Sequence, residues 1–157
     1  MNKQYVIKSL SIIIIDQIIK YLIMFLLSLN ESITIIPNFF NITYVINKGA
    51  AWNILNDKTW LLIIITILLL LFIYYIEKDF KKNKRNEWAF SLVYGGIIGN
   101  LIDRLFKSGV VDFLDFKIFG YDYPVFNIAD IAIVIGIILI IISIFKGEDN
   151  GSKSRSK

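Results

Sequence analysis

Four long apolar runs, separated by shorter polar or mixed stretches, set the pattern of this chain. The first, 7–29, reads IKSLSIIIIDQIIKYLIMFLLSL, and the second, 60–76, reads WLLIIITILLLLFIYYI with no charge at all. The third, 88–106, is WAFSLVYGGIIGNLIDRLF, polar at its end; the fourth, 127–145, is NIADIAIVIGIILIIISIF, polar at its start. A helix crosses a bilayer with roughly 20 mostly apolar residues, so these runs predict four membrane-spanning helices. The first is no cleaved signal peptide, because Asp16 and Lys20 interrupt it and no small-residue cleavage site follows. Between the first two runs, 30–58 carries ITIIPNFFNITYVIN, β-branched, aromatic and partly alternating, with Pro37 and Asn38 as a turn signal. That composition predicts short strands forming a small sheet at the membrane surface. Residues 107–126 read as a loop returning the chain from the third run to the fourth. The end, GEDNGSKSRSK from 147, is polar and rich in glycine and serine, and reads as a disordered tail behind a single domain spanning 1–146.

Composition supports a lipid environment. Hydrophobic residues make up 56% of the 157-residue chain, where soluble domains hold about 45–50%. The basic residues then set the orientation. Eleven lie before or at the very start of the first run, between the second and third, or after the fourth: Lys3, Lys8, Lys78, Lys81, Lys82, Lys84, Arg85, Lys146, Lys153, Arg155 and Lys157. Only four, Lys48, Lys58, Lys107 and Lys117, lie in the other two connections. The positive-inside rule therefore places both termini in the cytoplasm and the strand-rich segment outside. Trp60 and Trp88 stand at run ends, as interfacial aromatics do. With the basic residues so arranged, the net charge of +4 calls for no nucleic-acid partner; membrane lipids are the expected surroundings.

Cysteine and histidine are both absent. Disulfides, thiol nucleophiles, Ser-His-Asp triads and the common zinc sites go with them, and no metal or cofactor is expected. Chemistry must rest on carboxylates, amides, hydroxyls, Lys or Arg, and ionisable groups within membrane spans are the first candidates. Asp16 and Lys20 are four apart and share a helix face, as an internal ion pair would. Asn100, Asp103 and Arg104 end the third run, either as a network or as a hydrated helix end with an Asp–Arg pair; Gly95 and Gly99 above them form a small-residue packing face. Asp112 is flanked by Val110, Val111 and Phe113, surroundings that disfavour its charged form. Asp115, three residues on, reads as an ordinary loop charge. Asn127 suits the N-cap of the fourth helix, which puts Asp130 at the third helical position near the positive dipole end. Asp112 and Asp130 then lie at the same membrane face, and two carboxyls that meet share a proton and can activate water.

Five ordered blocks, DQIIK (16–20), NKGAAW (47–52), GGIIGNLIDR (95–104), VVDF (110–113) and FNIAD (126–130), resemble those of the lipoprotein signal peptidases, the signal peptidase II family of bacterial membrane aspartic proteases. The likeness covers about 8–145. It implies cleavage of diacylglyceryl-modified prolipoproteins just before the lipidated cysteine, in the cytoplasmic membrane with the active site on its outer face. By position it makes Asp112 and Asp130 the catalytic dyad; the helix N-terminus at Asp130 and the apolar flanks of Asp112 make Asp130 the expected initial base. It makes Asn47, Gly49, Asn100, Asp103, Arg104, Asn127 and Ala129 substrate-binding or dyad-supporting, and Asp16 and Lys20 a structural pair. It further implies an extracytoplasmic sheet and an outer-face helical loop; the protein is expected to be a monomer. Trp52 stands where the family more often has Phe, and Ile131 where a small or hydroxyl residue is common. Asp103 stays open as an alternative partner of Asp130. A rival from another class is a small four-helix proton-coupled transporter, with Asp16 or Asp103 as the coupling carboxylate near the midplane.

Overall fold

The computed structural model describes residues 3–49, 58–107 and 109–149. Trp52 and the rest of 50–57, and the tail from 150, lie outside the described residues. Four helices, α1 (Lys3–Leu26), α2 (Thr59–Glu77), α3 (Lys84–Phe106) and α4 (Ile128–Phe145), are each long and apolar enough to cross a membrane. Even the shortest, 18 residues, spans ~27 Å at ~1.5 Å per residue, close to the hydrocarbon thickness of a bilayer. Their outward faces carry exposed Ile14, Ile18, Leu68, Phe72 and Ile138, a continuous apolar surface that water would not tolerate and lipid would cover.

α3 is the central helix. Its glycines let its neighbours come close: a Cβ on Gly96 would collide with the Ala129 carbonyl of α4, and one on Gly95 would stand 2.8 Å from Ile12 Cβ of α1. Gly136 of α4 returns the favour, since a Cβ there would lie 2.7 Å from the Ala89 carbonyl. Side chains too small to hold backbones apart are the usual basis of membrane helix packing.

Four strands cap one end of the bundle as an antiparallel sheet in the order β1-β2-β3-β4: β1 (Ser32–Ile36), β2 (Phe40–Asn47), β3 (Val110–Ile118) and β4 (Tyr121–Asp122). The first two fall within the segment expected to form strands. The other two correct the expectation of a plain loop at 107–126, and Asp112 and Asp115 sit on a strand. Val111 and Phe113 of β3 pack with Tyr44 onto Ile23 of α1 and Leu27 just after it, which anchors the sheet to the helix bundle.

At the opposite end a polar clasp joins α3 to α4. Ser143 donates to Asn86 Oδ1, both side chains fully buried, and Asn83 caps α3 by accepting from the Asn86 amide at 2.9 Å. Glu148 pairs with Arg85 and accepts from Asn83 at 2.7 Å, while Lys81 N donates to the Glu148 carbonyl at 2.8 Å. Residues 147–149, expected to open a disordered tail, are therefore tied to the α2–α3 connection.

Candidate active site

The site lies where the sheet meets the N-terminus of α4. Alternation along β3 sends Val111 and Phe113 into the apolar cluster under the sheet and Asp112 to the other face. The hydrophobic flanks are thus not what surrounds the carboxylate. It is buried, 2% exposed, by the α3–α4 side of the fold. Asn47 Nδ2 donates to Asp112 Oδ2 at 3.0 Å and Asn127 Nδ2 to its Oδ1 at 2.6 Å. Burial first, and then the negative charge of Asp130, push the Asp112 carboxyl up to about 7, against the two amide donors and the charge of Lys20.

Asp130 is the third residue of α4. Asn127 caps the helix by accepting from Asp130 N at 3.0 Å, and Asp130 Oδ2 accepts from Asn127 N at 3.1 Å, a complete capping box. Asn100 Nδ2 donates to Asp130 Oδ1 at 2.8 Å. The Asn127 amide nitrogen also lies 3.1 Å from Asn100 Oδ1. One asparagine is therefore bonded to both carboxylates, and a second supports Asp130.

Beneath this pair is a buried ionic knot. Lys20 Nζ lies 2.8 Å from Asp16 Oδ2, 2.8 Å from Asp103 Oδ2 and 2.9 Å from Asn100 Oδ1, with no exposed side-chain surface on the lysine or either aspartate. Asp16 Oδ1 accepts from Ala129 N at 2.9 Å, so Ala129 enters the site through its backbone at the start of α4. Gly99 packs against Asp16, where a Cβ would stand 2.9 Å from Oδ2. Asp103 also accepts from Lys107 Nζ at 2.8 Å, Gln17 Nε2 at 3.1 Å and Val111 N at 3.2 Å.

The Asp103–Arg104 pair considered from sequence does not form, because consecutive helical residues point about 100° apart; Lys20 and Lys107 take Asp103 instead. Held this way, Asp103 is committed to α1 and β3. Asp16 and Asp103 are likewise sealed in ion pairs, which does not favour the transporter reading. Arg104 lines the same cavity as the two acids, with its buried Nε unbonded.

That cavity, about 240 Å³, is lined by Asp112, Asp130, Asn47, Gly49, Asn100 and Arg104, and closed by Tyr123 to Phe126. Gly49 N donates to Asn47 Oδ1 at 3.0 Å, which turns the Asn47 amide nitrogen toward Asp112. A second, apolar cavity of about 520 Å³ adjoins it and shares Tyr123, Phe126 and Asp130. It runs between Phe39, Phe116 and Ile118 of the sheet region and Val134 and Ile135 of α4. Phe116 stacks on Phe40 at 4.5 Å and on Phe126 at 5.7 Å between centroids.

Gln17 and Lys107 are parts of the ionic knot that sequence reasoning did not select. Gln17 shares a helix face with Lys20, and Lys107 stands four residues after Asp103, so both spacings carried the signal. Asp115, read as a free loop charge, instead accepts from Thr43 Oγ1 at 2.6 Å and Asn41 Nδ2 at 3.3 Å across the sheet.

The raised Asp112 carboxyl has a consequence for stability. Unfolded, the group titrates near 3.8; folded, near 7. Between those values the unfolded chain releases its proton first, so rising pH favours unfolding. The buried acid carries no penalty below about pH 4 and its full penalty, ~4 kcal/mol, above about pH 7. Asp112→Asn removes this dependence. Its Tm in a fixed detergent is expected to rise relative to the unsubstituted protein as pH goes from 4 to 8; parallel Tm profiles would contradict the assignment.

Four membrane-length helices closed at one end by a sheet, with Asp112 and Asp130 lining one cavity where the two meet, define a polytopic membrane protein. The chain belongs to the signal peptidase (SPase) II family, whose model matches residues 9–146, and that membership makes it a membrane protease. It is 42% identical over 163 residues to the lipoprotein signal peptidases of Staphylococcus aureus strains JH9 and N315, with each chain covered completely. A bacterial membrane enzyme solved by the in meso method at 2.3 Å resolution superposes with a TM-score of 0.83 at 42% identity, covering 98% of this chain and 91% of that one. Another, at 1.9 Å, gives 0.80 at 44% identity, covering 90% and 92%.

Proposed function

We propose that this protein is an aspartic endopeptidase that removes the signal peptide from diacylglyceryl-modified prolipoproteins, cutting on the N-terminal side of the lipidated cysteine. The observation that carries the reading is the bonding of Asp112 and Asp130 to one asparagine, Asn127, in one cavity. Two carboxyls so held titrate as a unit and share a proton. Asp112, with its raised carboxyl, holds that proton; Asp130 is the base.

A water between them gives its proton to Asp130 as its oxygen adds to the scissile carbonyl carbon, and Asp112 passes its proton to the carbonyl oxygen. Collapse of the tetrahedral intermediate breaks the C–N bond. One proton goes to the leaving amine of the modified cysteine and the signal peptide departs as a carboxylic acid, so the dyad returns with one proton. Arg104, which lines the same cavity and has a buried, unbonded Nε, is the positive group best placed to hold a substrate carbonyl.

The adjoining apolar cavity along α4 suits a substrate that reaches the site through lipid: acyl chains against Phe116, Val134 and Ile135 bring the modified cysteine beside Asp130. The bias of basic residues orients the site toward the extracytoplasmic face, with both termini cytoplasmic. The test is incubation of the purified protein with a diacylglyceryl-modified precursor and with its unlipidated counterpart. Release of a product beginning at the modified cysteine, from the lipidated precursor only, is expected. No cleavage of the lipidated precursor would overturn the reading.

A further inference from the structure

We propose that the β3–β4 hairpin is a membrane anchor whose tip, Phe119, is inserted among the lipids of the leaflet on the sheet's side. Ile118 pairs with Tyr121, so Phe119 and Gly120 form a two-residue connection, and both have positive φ, 50° and 82°. That geometry matches the right-handed strand twist and favours Asn or Gly at its first position. The chain uses the ordinary solution elsewhere: Asn38, at φ 59°, occupies the turn between β1 and β2. At 119 it instead places a large aromatic in the left-handed region, where side chains with a bulky Cβ substituent are disfavoured. The Phe119 side chain gains nothing within the molecule in return, being 105% exposed, with Tyr121 beside it 58% exposed. A residue that breaks the local backbone rule and the burial rule together has its compensation outside the chain.

The surroundings identify lipid as that compensation. Ile118, adjacent to the tip, lines the same apolar cavity as Val134 and Ile135, the seventh and eighth residues of α4. At ~1.5 Å per residue these lie roughly 9–12 Å along a helix of membrane length. The hairpin therefore flanks the upper turns of a spanning helix, and Ile118 beside the tip and Val134 on that helix are both exposed apolar residues of one cavity rim. One rung back from the tip, Lys117 and Asp122 form an exposed ion pair at 3.2 Å. An apolar tip followed by a charged rung is the order in which hydrocarbon gives way to headgroups, and exposed aromatics collect at that boundary. A water-facing turn would not need Phe119, and a bonded protein partner would leave no reason for the apolar surface to continue onto α4.

The inference rests on α4 spanning the membrane and not on the peptidase reading, so its test needs no activity. Because the chain has no cysteine, Phe119→Cys provides a unique attachment point for a nitroxide, and Asp122→Cys, whose native side chain is 79% exposed, provides a comparator. Both labelled proteins are reconstituted in phosphatidylcholine–phosphatidylglycerol vesicles and relaxed with oxygen and with a water-soluble nickel chelate. The ratio of oxygen to nickel accessibility is expected to be several-fold higher at 119 than at 122. Equal ratios would put the tip in water, and low access to both reagents at 119 would mean contact with protein; either result overturns the proposal.

Discussion

Asp112→Asn and Asp130→Asn are each expected to lower kcat for a diacylglyceryl-modified precursor by ~10⁴ or more, to the limit of detection, while the proteins still insert and fold. The magnitude follows from what each substitution removes. General acid–base catalysis contributes ~10²–10⁴ for one proton transfer, and here a single proton circulates between two groups, so losing either disables both transfers. For the same reason the double variant is expected to be no worse than either single one, as is usual for residues acting as a unit. Folding is retained at Asp112 because an asparagine carbonyl can still accept from Asn127 Nδ2 and the disappearance of the buried-charge cost offsets the loss of an acceptor for Asn47 Nδ2. The informative control is Asp115→Asn. That carboxylate is three residues from Asp112 but bonded to Thr43 and Asn41 within the sheet, and its loss is expected to leave kcat within about twofold. Near-normal cleavage by either dyad variant, or an Asp115 effect equal to that at Asp112, would show that the site has been misassigned.

The helices were legible because hydropathy reports lipid directly; their ends were less so. α3 begins at Lys84, four residues before the run that revealed it, since its first turn is polar and is defined by the Asn83 cap, which a count of apolar residues does not register. β3 escaped for a different reason. VVDFLDF faces an apolar cluster on one side and the polar cavity on the other, so both faces are largely buried and no clean two-residue alternation shows. The local chemistry at the head of α4 was readable from Asn127 and Asp130 alone, because an N-cap and its third residue are set by spacing. The long-range chemistry was not. Lys107, four residues after Asp103, was within reach of a spacing argument, but nothing local announces that Lys20, more than 80 residues earlier, would also take the aspartate. The family likeness supplied the convergence of VVDF with FNIAD, where composition could offer only that both lie at one membrane face.

Lys20→Met is expected to be the most damaging single change outside the dyad, costing ~3–5 kcal/mol of stability and leaving little protein in the membrane. Methionine nearly matches the volume of lysine, so the loss is electrostatic: Asp16 and Asp103, both fully buried, would lose the cation 2.8 Å from each. Stranding one side of a buried ion pair costs about that much, whereas removing both sides together often costs little. Lys20→Met combined with Asp16→Asn is accordingly expected to recover a large part of the Tm, because Asp103 keeps Lys107 and Gln17. Recovered stability should not bring recovered activity. Lys20 Nζ can only donate, so Asn100 must present Oδ1 to it at 2.9 Å and direct Nδ2 at Asp130. Without the lysine only Asn127 Nδ2, at 3.1 Å, still holds that oxygen in place, and an amide turned to put its oxygen toward Asp130 would repel the carboxylate it now supports. The double variant is therefore expected to fold with kcat still reduced ~10-fold or more and KM little changed. If it cleaves normally once its Tm is restored, Lys20 serves only to hold the helices together.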